Sequence, residues 1–258
     1  MYYYNQNNYG SVSYPRPSDK SATVKSGGCG VCSACMVMNN LAGKELYSVR
    51  QMAEFSIKNG ARDNAGTNVQ TLLSALCKAN PDFSYKTSNS SLDLVNHLKK
   101  GGMAICNQGD VYNVFSTAGH FVVAYRMSGN NIEVLDPQMY SGKYDAYQRP
   151  QRIIKKTANG CVVSAKEMVK ATADRSPAYF LISKKTKERK NTMAYGNAAM
   201  VSAQTVYADS DLTLKVGTVS KGERVNQLGT GEGNPMISYK TASGYKVGFA
   251  KKGTVRKD

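Results

Sequence analysis

Apolar spacing changes period once along this chain, close to the glycine pair Gly101 and Gly102, and that change limits the fold more than any other feature. Before it, apolar residues recur at helical spacing in four segments. The first opens at Cys29 or Gly30 and stops at Gly43. A second opens on the capping box Ser48 to Gln51, in which serine and glutamine satisfy orphan amides reciprocally, and stops at Gly60. The third opens on the same device at Thr67 to Gln70 and runs to about Lys78. The fourth, SLDLVNHLKKGG, ends at the paired glycines. After them come short β-branched and aromatic runs, MAICN, HFVVAYRM, NIEVLD and AYFLISKK, with SGNN as a hairpin turn and one further helix, SAKEMVKATA. Helices first and antiparallel strands afterwards describe an α+β domain, with the first helix laid against the sheet. The Tyr- and Asn-rich segment before Gly28 reads as irregular.

A second break lies in SKKTKERKNTMAYGNAAM, Ser183 to Met200, a charge run followed by small and polar residues. Beyond it only short strand-like pieces occur, separated by Gly and Ser. The expected organisation is therefore a first domain over 1–185, a linker over 186–198 and a small all-β module over 199–258. The 258 residues suffice for one large core and a small module. No apolar run approaches the ~20 residues a membrane span needs, and the N-terminal MYYYNQNNYG lacks the pattern of a secretory signal. The expectation is a chain made in the cytosol, without membrane insertion.

The stretch KSGGCGVCSACMVMNNLAG carries Cys29, Cys32 and Cys35 at three-residue intervals. Metal ligation, a redox pair and a single nucleophile compete as explanations, beside the plain alternative that all three thiols are core. A metal site needs more ligands, yet Cys77, Cys106 and Cys161 are scattered in apolar runs and the chain has two histidines. No metal and no cofactor is expected. Position separates the three thiols. Cys29 stands at the first residue of a helix, where free amides and the macrodipole stabilise a thiolate. Cys32 and Cys35 lie further in, beside Met36, where cysteine behaves as a small hydrophobe.

A base for Cys29 is available. His120 opens a strand after the STAG turn, and the next strand of the same hairpin ends at Asp136, before Pro137. In an antiparallel pair the start of one strand and the end of the next share a sheet edge, so His120 and Asp136 can be neighbours. Thiolate, imidazole and orienting carboxylate form the arrangement that acyl transfer through a thioester requires. Taken singly, His120 also reads as a hydrogen-bonded strand-end histidine and Asp136 as a turn cap. His97, near a helix end, reads as a surface residue complementing the helix dipole.

Together, YYYNQNN, SGGCGVCSACMVMNNLAG, GHFVVAYRM and VLDP resemble the papain-like cysteine peptidases related to bacteriocin-processing, double-glycine peptidases, over about residues 2–140. The resemblance implies a papain-like catalytic domain with Cys29 as nucleophile, His120 as base, Asp136 as its orienter and Gln6 as oxyanion-hole donor. Val31 stands where these proteins often have proline. Gln6 lies further before the cysteine than in papain, so Asn5 or a backbone amide can serve instead. The C-terminal VGTVSKGERVNQL and YKVGFAKKGTV resemble a bacterial SH3 domain, a module that in bacterial and phage lysins holds the enzyme on the cell wall. Tyr207, Tyr239, Tyr245 and Phe249 are its candidate wall-binding residues, with barrel filling as their plainer role.

The net charge of +16 suits a polyanionic partner. No basic stretch interleaved with aromatics marks a nucleic-acid site. Bacterial peptidoglycan and anionic wall polymers are the expected partners, and a peptidoglycan hydrolase of the phage endolysin type is the expected activity. A wall-binding or phage structural protein with a degenerate peptidase fold is the alternative.

Overall fold

The computed structural model describes residues 1–185, 196–242 and 244–258. The chain divides into two compact units, 1–185 and 186–258. Of the linker expected over 186–198, residues 186–195 lie outside the described residues.

In the first unit the N-terminal segment is more ordered than its composition suggests. A 3-10 turn at Gln6–Asn8 and a four-residue helix α1, Val24–Gly27, lead into the long helix α2, Cys29–Ala42. Gly43 ends α2 in the left-handed conformation, φ 70°, where a side chain is disfavoured. Next come α3, Val49–Lys58, and α4, Val69–Ala79. The Ser48–Gln51 capping box is present on α3. On α4 the cap is not Thr67, as expected, but Asn68, whose side chain accepts from the Thr71 amide at 3.0 Å. Thr67 turns inward instead, its hydroxyl 2.9 Å from that of the buried Tyr14.

The remaining elements are β1, Phe83–Ser88; α5, Ser91–Lys99; β2, Met103–Gln108; β3, His120–Ser128; and β4, Asn131–Leu135. They are followed by α6, Arg149–Arg152; β5, Lys155–Thr157; β6, Gly160–Ser164; α7, Ala165–Thr172; and β7, Tyr179–Lys184. The seven strands form one antiparallel sheet in the order β1-β7-β2-β3-β4-β6-β5. Three of them, β1, β5 and β6, were not expected from local pattern. β1 carries Ser, Lys and Thr on an edge position, and β5 is a three-residue edge strand.

Side-chain alternation sends one set of residues to each face. Met103, Ile105, Val123, Phe180 and Ile182 meet α2, α3 and α4 in one core. Ala104, Cys106, Val122, Ala124, Val134 and Leu181 meet α5 and α7 in another. Helices thus cover both faces, which is why the strands read as unbroken apolar runs such as MAIC and FVVA rather than as alternating ones. Burying each large apolar side chain on either face contributes about 1.5 to 3 kcal/mol, so the sheet is the common wall on which α2 is fixed. His97 stands in the last turn of α5 as expected but is half-buried: its Nε2 lies 2.8 Å from the Ile182 carbonyl and 3.1 Å from that of Met103. Gly102 leaves room for the ring, since a Cβ there would sit 2.2 Å from that nitrogen.

The second unit is all antiparallel: β8, Ala198–Met200; β9, Gln204–Tyr207; β10, Lys215–Val219; β11, Arg224–Gly231; β12, Asn234–Thr241; β13, Gly244–Phe249; and β14, Val255–Lys257. Their order is β10-β9-β13-β12-β11-β8-β14. The core is small, with Met200, Val206, Val225, Ile237 and Tyr239 at its centre. Tyr239 is 1% exposed and cannot line a surface groove, which corrects its assignment among the wall-binding aromatics. It packs toward Gly217, where a Cβ would lie 2.3 Å from its hydroxyl. Tyr207 and Phe249 are directly paired across β9 and β13 and half-buried, while Tyr245 is exposed.

The α4 cap gives a direct test. Asn68→Ala should lower stability by about 1 kcal/mol, read as a lower thermal midpoint of the first unit, because it removes the side-chain acceptor of the Thr71 amide.

Candidate active site

Cys29 occupies the first position of α2, between two glycines that are there for space. A Cβ on Gly28 would lie 2.4 Å from Val24 Cγ1 and 2.5 Å from the Val24 carbonyl oxygen, so only glycine lets α1 turn directly into α2. A Cβ on Gly30 would lie 2.7 Å from Thr67 Cβ, so glycine also lets the loop before α4 close on the helix start. The first-turn amides of α2 have no partner within the helix and face the thiol end of its dipole.

His120 opens β3 and Asp136 follows β4 directly, and the hairpin brings them together. Its turn, Gly129 and Asn130, joins Ser128 to Asn131 in register, and Val123 pairs with Leu135. Glycine at φ 60° fits the left-handed position that such a two-residue turn demands. His120 Nε2 lies 2.9 Å from Asp136 Oδ1. That leaves Nδ1 for Cys29, whose sulfur lines the same cleft as the imidazole and whose ionisation the imidazole favours. Cys29 is half-buried, and His120 and Asp136 are buried.

The charges in this chain support one another. Burial works against a charged Asp136, but His120 and Lys143 outweigh it and hold the carboxyl well below the usual range. Burial likewise opposes a charged His120, and the Asp136 carboxylate overrides it and raises the imidazole above its ordinary value. For Cys29 burial again favours the neutral thiol, yet the hydrogen bond and charge of His120, with the Phe121 and Gly30 amides, bring its pKa down. A sulfur that ionises readily beside an imidazole that holds the proton is the arrangement a nucleophile and its base would need.

A cleft of about 460 Å³ opens over these groups, lined by Cys29, His120, Asp63, Gly66, Thr67, Asn107, Gly119 and Arg175 among others. Gln6 is not one of its lining residues. Its side chain is buried, its Nε2 donates to the Lys25 carbonyl at 2.9 Å, and its Oε1 has no partner among the described residues. The structure therefore brings Cys29, His120 and Asp136 together and places Gln6 beside α1.

Several residues that no local pattern marks complete the site. Asp136 Oδ2 receives the Tyr144 hydroxyl at 2.7 Å and the Lys143 ammonium at 2.6 Å, and Oδ1 also receives the Gln138 amide at 2.9 Å. Gln108 pairs with His120 across β2 and β3, and its buried side chain accepts from the amides of 114, 115 and 116 and donates to the carbonyls of 109, 116 and 118. It thereby fixes the loop that leads into His120. The N-terminal YYYNQNN clamps the other side. Tyr3 donates to the Asp136 carbonyl at 2.7 Å, Gln6 N to that of Pro137 at 2.6 Å, and Asn5 and Asn7 both to that of Met139. Only the closeness of GKYD to LDP in sequence hints at Lys143 and Tyr144.

No family model matches this sequence, and neither does any curated protein. Solved structures give distant likenesses. One is the peptidase domain of Streptococcus ComA, a bi-functional ABC transporter involved in a quorum-sensing pathway, at 13% identity and TM-score 0.37, over 60% of this chain and 88% of that one. A second is a C39-like peptidase from Bacillus anthracis, at 15% and 0.42, over 62% and 90%. A third is Ly7917 with the hydrolysing product of MDP, at 16% and 0.24, over 70% and 67%. At these scores they assign no residue role to this chain. Among the described residues no group of three or more His, Cys, Asp and Glu could hold a metal ion, and no helix is long and apolar enough to cross a membrane.

The site predicts its own stability profile. Asp136→Asn strands a buried ammonium, and should cost about 3 to 5 kcal/mol at neutral pH. A carboxyl whose folded pKa is depressed contributes stability above its unfolded value of about 3.9 and loses it as pH falls further. Thermal melts should therefore show the gap between wild type and Asp136→Asn narrowing from pH 5 toward pH 2.

Proposed function

We propose that this protein is a peptidoglycan hydrolase that cuts an amide bond of the stem peptide or cross-bridge by cysteine nucleophilic catalysis, of the papain-like and endolysin type that its motifs resemble. The observation that carries the reading is the His120–Asp136 hydrogen bond beside the Cys29 thiol, with Cys29 and His120 lining one open cleft. In the second unit, the surviving aromatic candidates, Tyr207, Tyr245 and Phe249, would contact the wall in the manner of a bacterial SH3 domain. A net charge of +16 favours phosphate-rich wall polymers as the surface on which it works.

The chemistry follows from the geometry. The Cys29 thiolate attacks the amide carbonyl carbon, and its C–S bond forms as the carbonyl π electrons move to oxygen. The amide of Cys29, freed of an intrahelical partner at the first position of α2, is the oxyanion donor the helix start supplies. Gln6 joins it only by exchanging its bond to Lys25. As the C–N bond breaks, protonated His120 gives its proton to the departing amine and leaves a thioester. Neutral His120 then takes a proton from water, hydroxide adds to the thioester, and the acid departs as the sulfur recovers. Asp136 holds the ring through both halves, so that Nδ1 faces sulfur first and water second.

Cys29→Ala should reduce release of new amines from purified peptidoglycan by at least about a thousandfold while leaving the thermal midpoint close to wild type. Mass spectrometry of the wild-type products names the bond, according to whether the new amine appears on the stem or the bridge. Unchanged hydrolysis by Cys29→Ala would refute the reading. Blocking Cys29 with an alkylating agent separates it from a purely wall-binding protein, whose sedimentation with walls would survive the block.

A further inference from the structure

Two basic side chains are buried within fourteen residues of Asp136, and the acyl-transfer chemistry above uses neither of them. Lys143 lies in a 3-10 turn, Lys143–Asp145, entered through Gly142 in the left-handed conformation at φ 75°. Its side chain is 1% exposed, its Nζ lies 2.6 Å from Asp136 Oδ2 and it also donates to the Gln138 carbonyl at 3.0 Å. The rings of Tyr140 and Tyr144 stand 5.8 and 5.9 Å from the ammonium. Arg149, also buried, donates from its guanidinium to the Lys143 carbonyl at 2.8 Å and so pins the turn that presents the lysine.

Burying a primary ammonium is costly unless it is paired and hydrogen-bonded, as Lys143 is, and a neutral donor would avoid the cost altogether. Tyr144 already donates to the same carboxylate oxygen, so a hydrogen bond alone does not require a lysine there. A charge does. Were Asp136 left with His120 as its sole counter-charge, the buried carboxylate would hold the histidine as imidazolium, and the second half of an acyl transfer needs a neutral ring. With Lys143 on the far oxygen, Asp136 stays ionised whether His120 carries its proton or not. We propose that Lys143 is a positioning residue that compensates the Asp136 charge and so frees His120 to cycle between its protonated and neutral forms. The relay then has four members, sulfur, imidazole, carboxylate and ammonium, of which the last touches no substrate.

The groups that face this relay are few. His120 meets Cys29 from α2 and Asp136 from the end of β4, with Asp63 and Arg175 among the residues lining the same cleft. Around Lys143 stand Asp136, Tyr140, Tyr144 and Arg149, and Cys161 of β6 feels its charge. Lys143 opposes protonation of His120, in the sense the proposal needs.

This inference rests on the acyl-transfer reading of the same site, and its test has a readout that needs no substrate. The chain has two histidines, so His97 is an internal reference for an imidazole NMR titration of the full-length protein. In a Cys29→Ala background, Lys143→Met should raise the midpoint of His120 by about one pH unit and leave His97 where it is. Tyr144→Phe, which removes a neutral donor from the same oxygen, should leave the His120 midpoint within about 0.3 pH units. In the enzyme with Cys29 intact, Lys143→Met should lower kcat about tenfold at little change in KM, with the thioester accumulating, and Lys143→Arg should restore most of the rate. Should Lys143→Met not fold, Lys143→Gln, which returns an uncharged donor, carries the same expectation. An unmoved or lowered His120 midpoint in whichever neutral variant folds overturns the proposal. So does failure of both neutral variants to fold beside a folded Lys143→Arg, since the lysine would then be structural. Loss of the functional reading looks different: wild type itself would release no Cys29-dependent products.

Discussion

A fully buried carboxylate organises the first unit. An isolated ionised carboxyl in an apolar interior costs many kcal/mol, so a stable fold must bring donors to it. Asp136 collects four, from His120, Gln138, Lys143 and Tyr144. Those donors sit on β3 and on the segment after β4, and the backbone carbonyl of the same residue takes the Tyr3 hydroxyl from the chain's beginning. Satisfying one charge therefore ties together the N-terminal segment, the central hairpin and the 137–149 loop. The placing of His120 beside Cys29 is a by-product of that satisfaction.

The sheet supplies the rigidity that the charge network alone lacks. Covered by helices on both faces, it leaves α2 little freedom to shift, since the helix is buried along ten of its fourteen residues. The sulfur is carried by the end of that helix, and the imidazole by the end of the strand beneath it. Their meeting point lies where a helix start and a strand start coincide, with Gly28 and Gly30 permitting the approach. Gln108 performs the matching task for the loop before His120, through a dense set of backbone contacts made by one amide. Side chains placed by elements with this much burial need no induced rearrangement to face one another.

What the sequence revealed, and what it hid, follows from the range of the interactions. The Ser48–Gln51 cap, the Gly43 stop and the Gly129–Asn130 turn are decided by residues within four positions of one another. They read directly. The pairing of His120 with Asp136 also read, because hairpin geometry converts a sixteen-residue separation into a neighbour relation. β1 did not: FSYKTS is polar, and it is a strand because it pairs with β7, whose partner residues lie more than ninety positions later. Asn68 and Thr67 are equivalent as caps on local grounds, and the decision is made by Tyr14, which claims the threonine hydroxyl. His97 resembled a dipole-complementing surface group, yet the carbonyls of Met103 on the next strand and of the distant Ile182 hold it. In the second unit Tyr239 read like its aromatic neighbours, and strand alternation alone, Ile237 and Tyr239 inward with Lys240 outward, separates it from them. Lys143 was the least visible, since nothing about a lysine in a Gly- and Tyr-rich loop declares that it will be buried.

The three thiols of α2 show how environment divides one residue type into different chemistries. Cys29, Cys32 and Cys35 repeat every three residues, so they wind slowly round the helix from its half-buried start into the core. Cys32 and Cys35 are fully buried, and burial pushes both well above the ordinary thiol range, with neighbouring charge adding to it. Burial thereby holds both as neutral thiols. Cys35 instead donates its S–H to the Tyr47 carbonyl at 3.1 Å, a structural use of sulfur as a weak donor. Cys29 is the same side chain moved two turns toward the helix start, where amides, dipole and imidazole outweigh the loss of water. Three thiols that look alike in one dimension are, in three, one with a lowered pKa at the cleft and two with raised pKa values in the core, and the difference is made by where the helix begins.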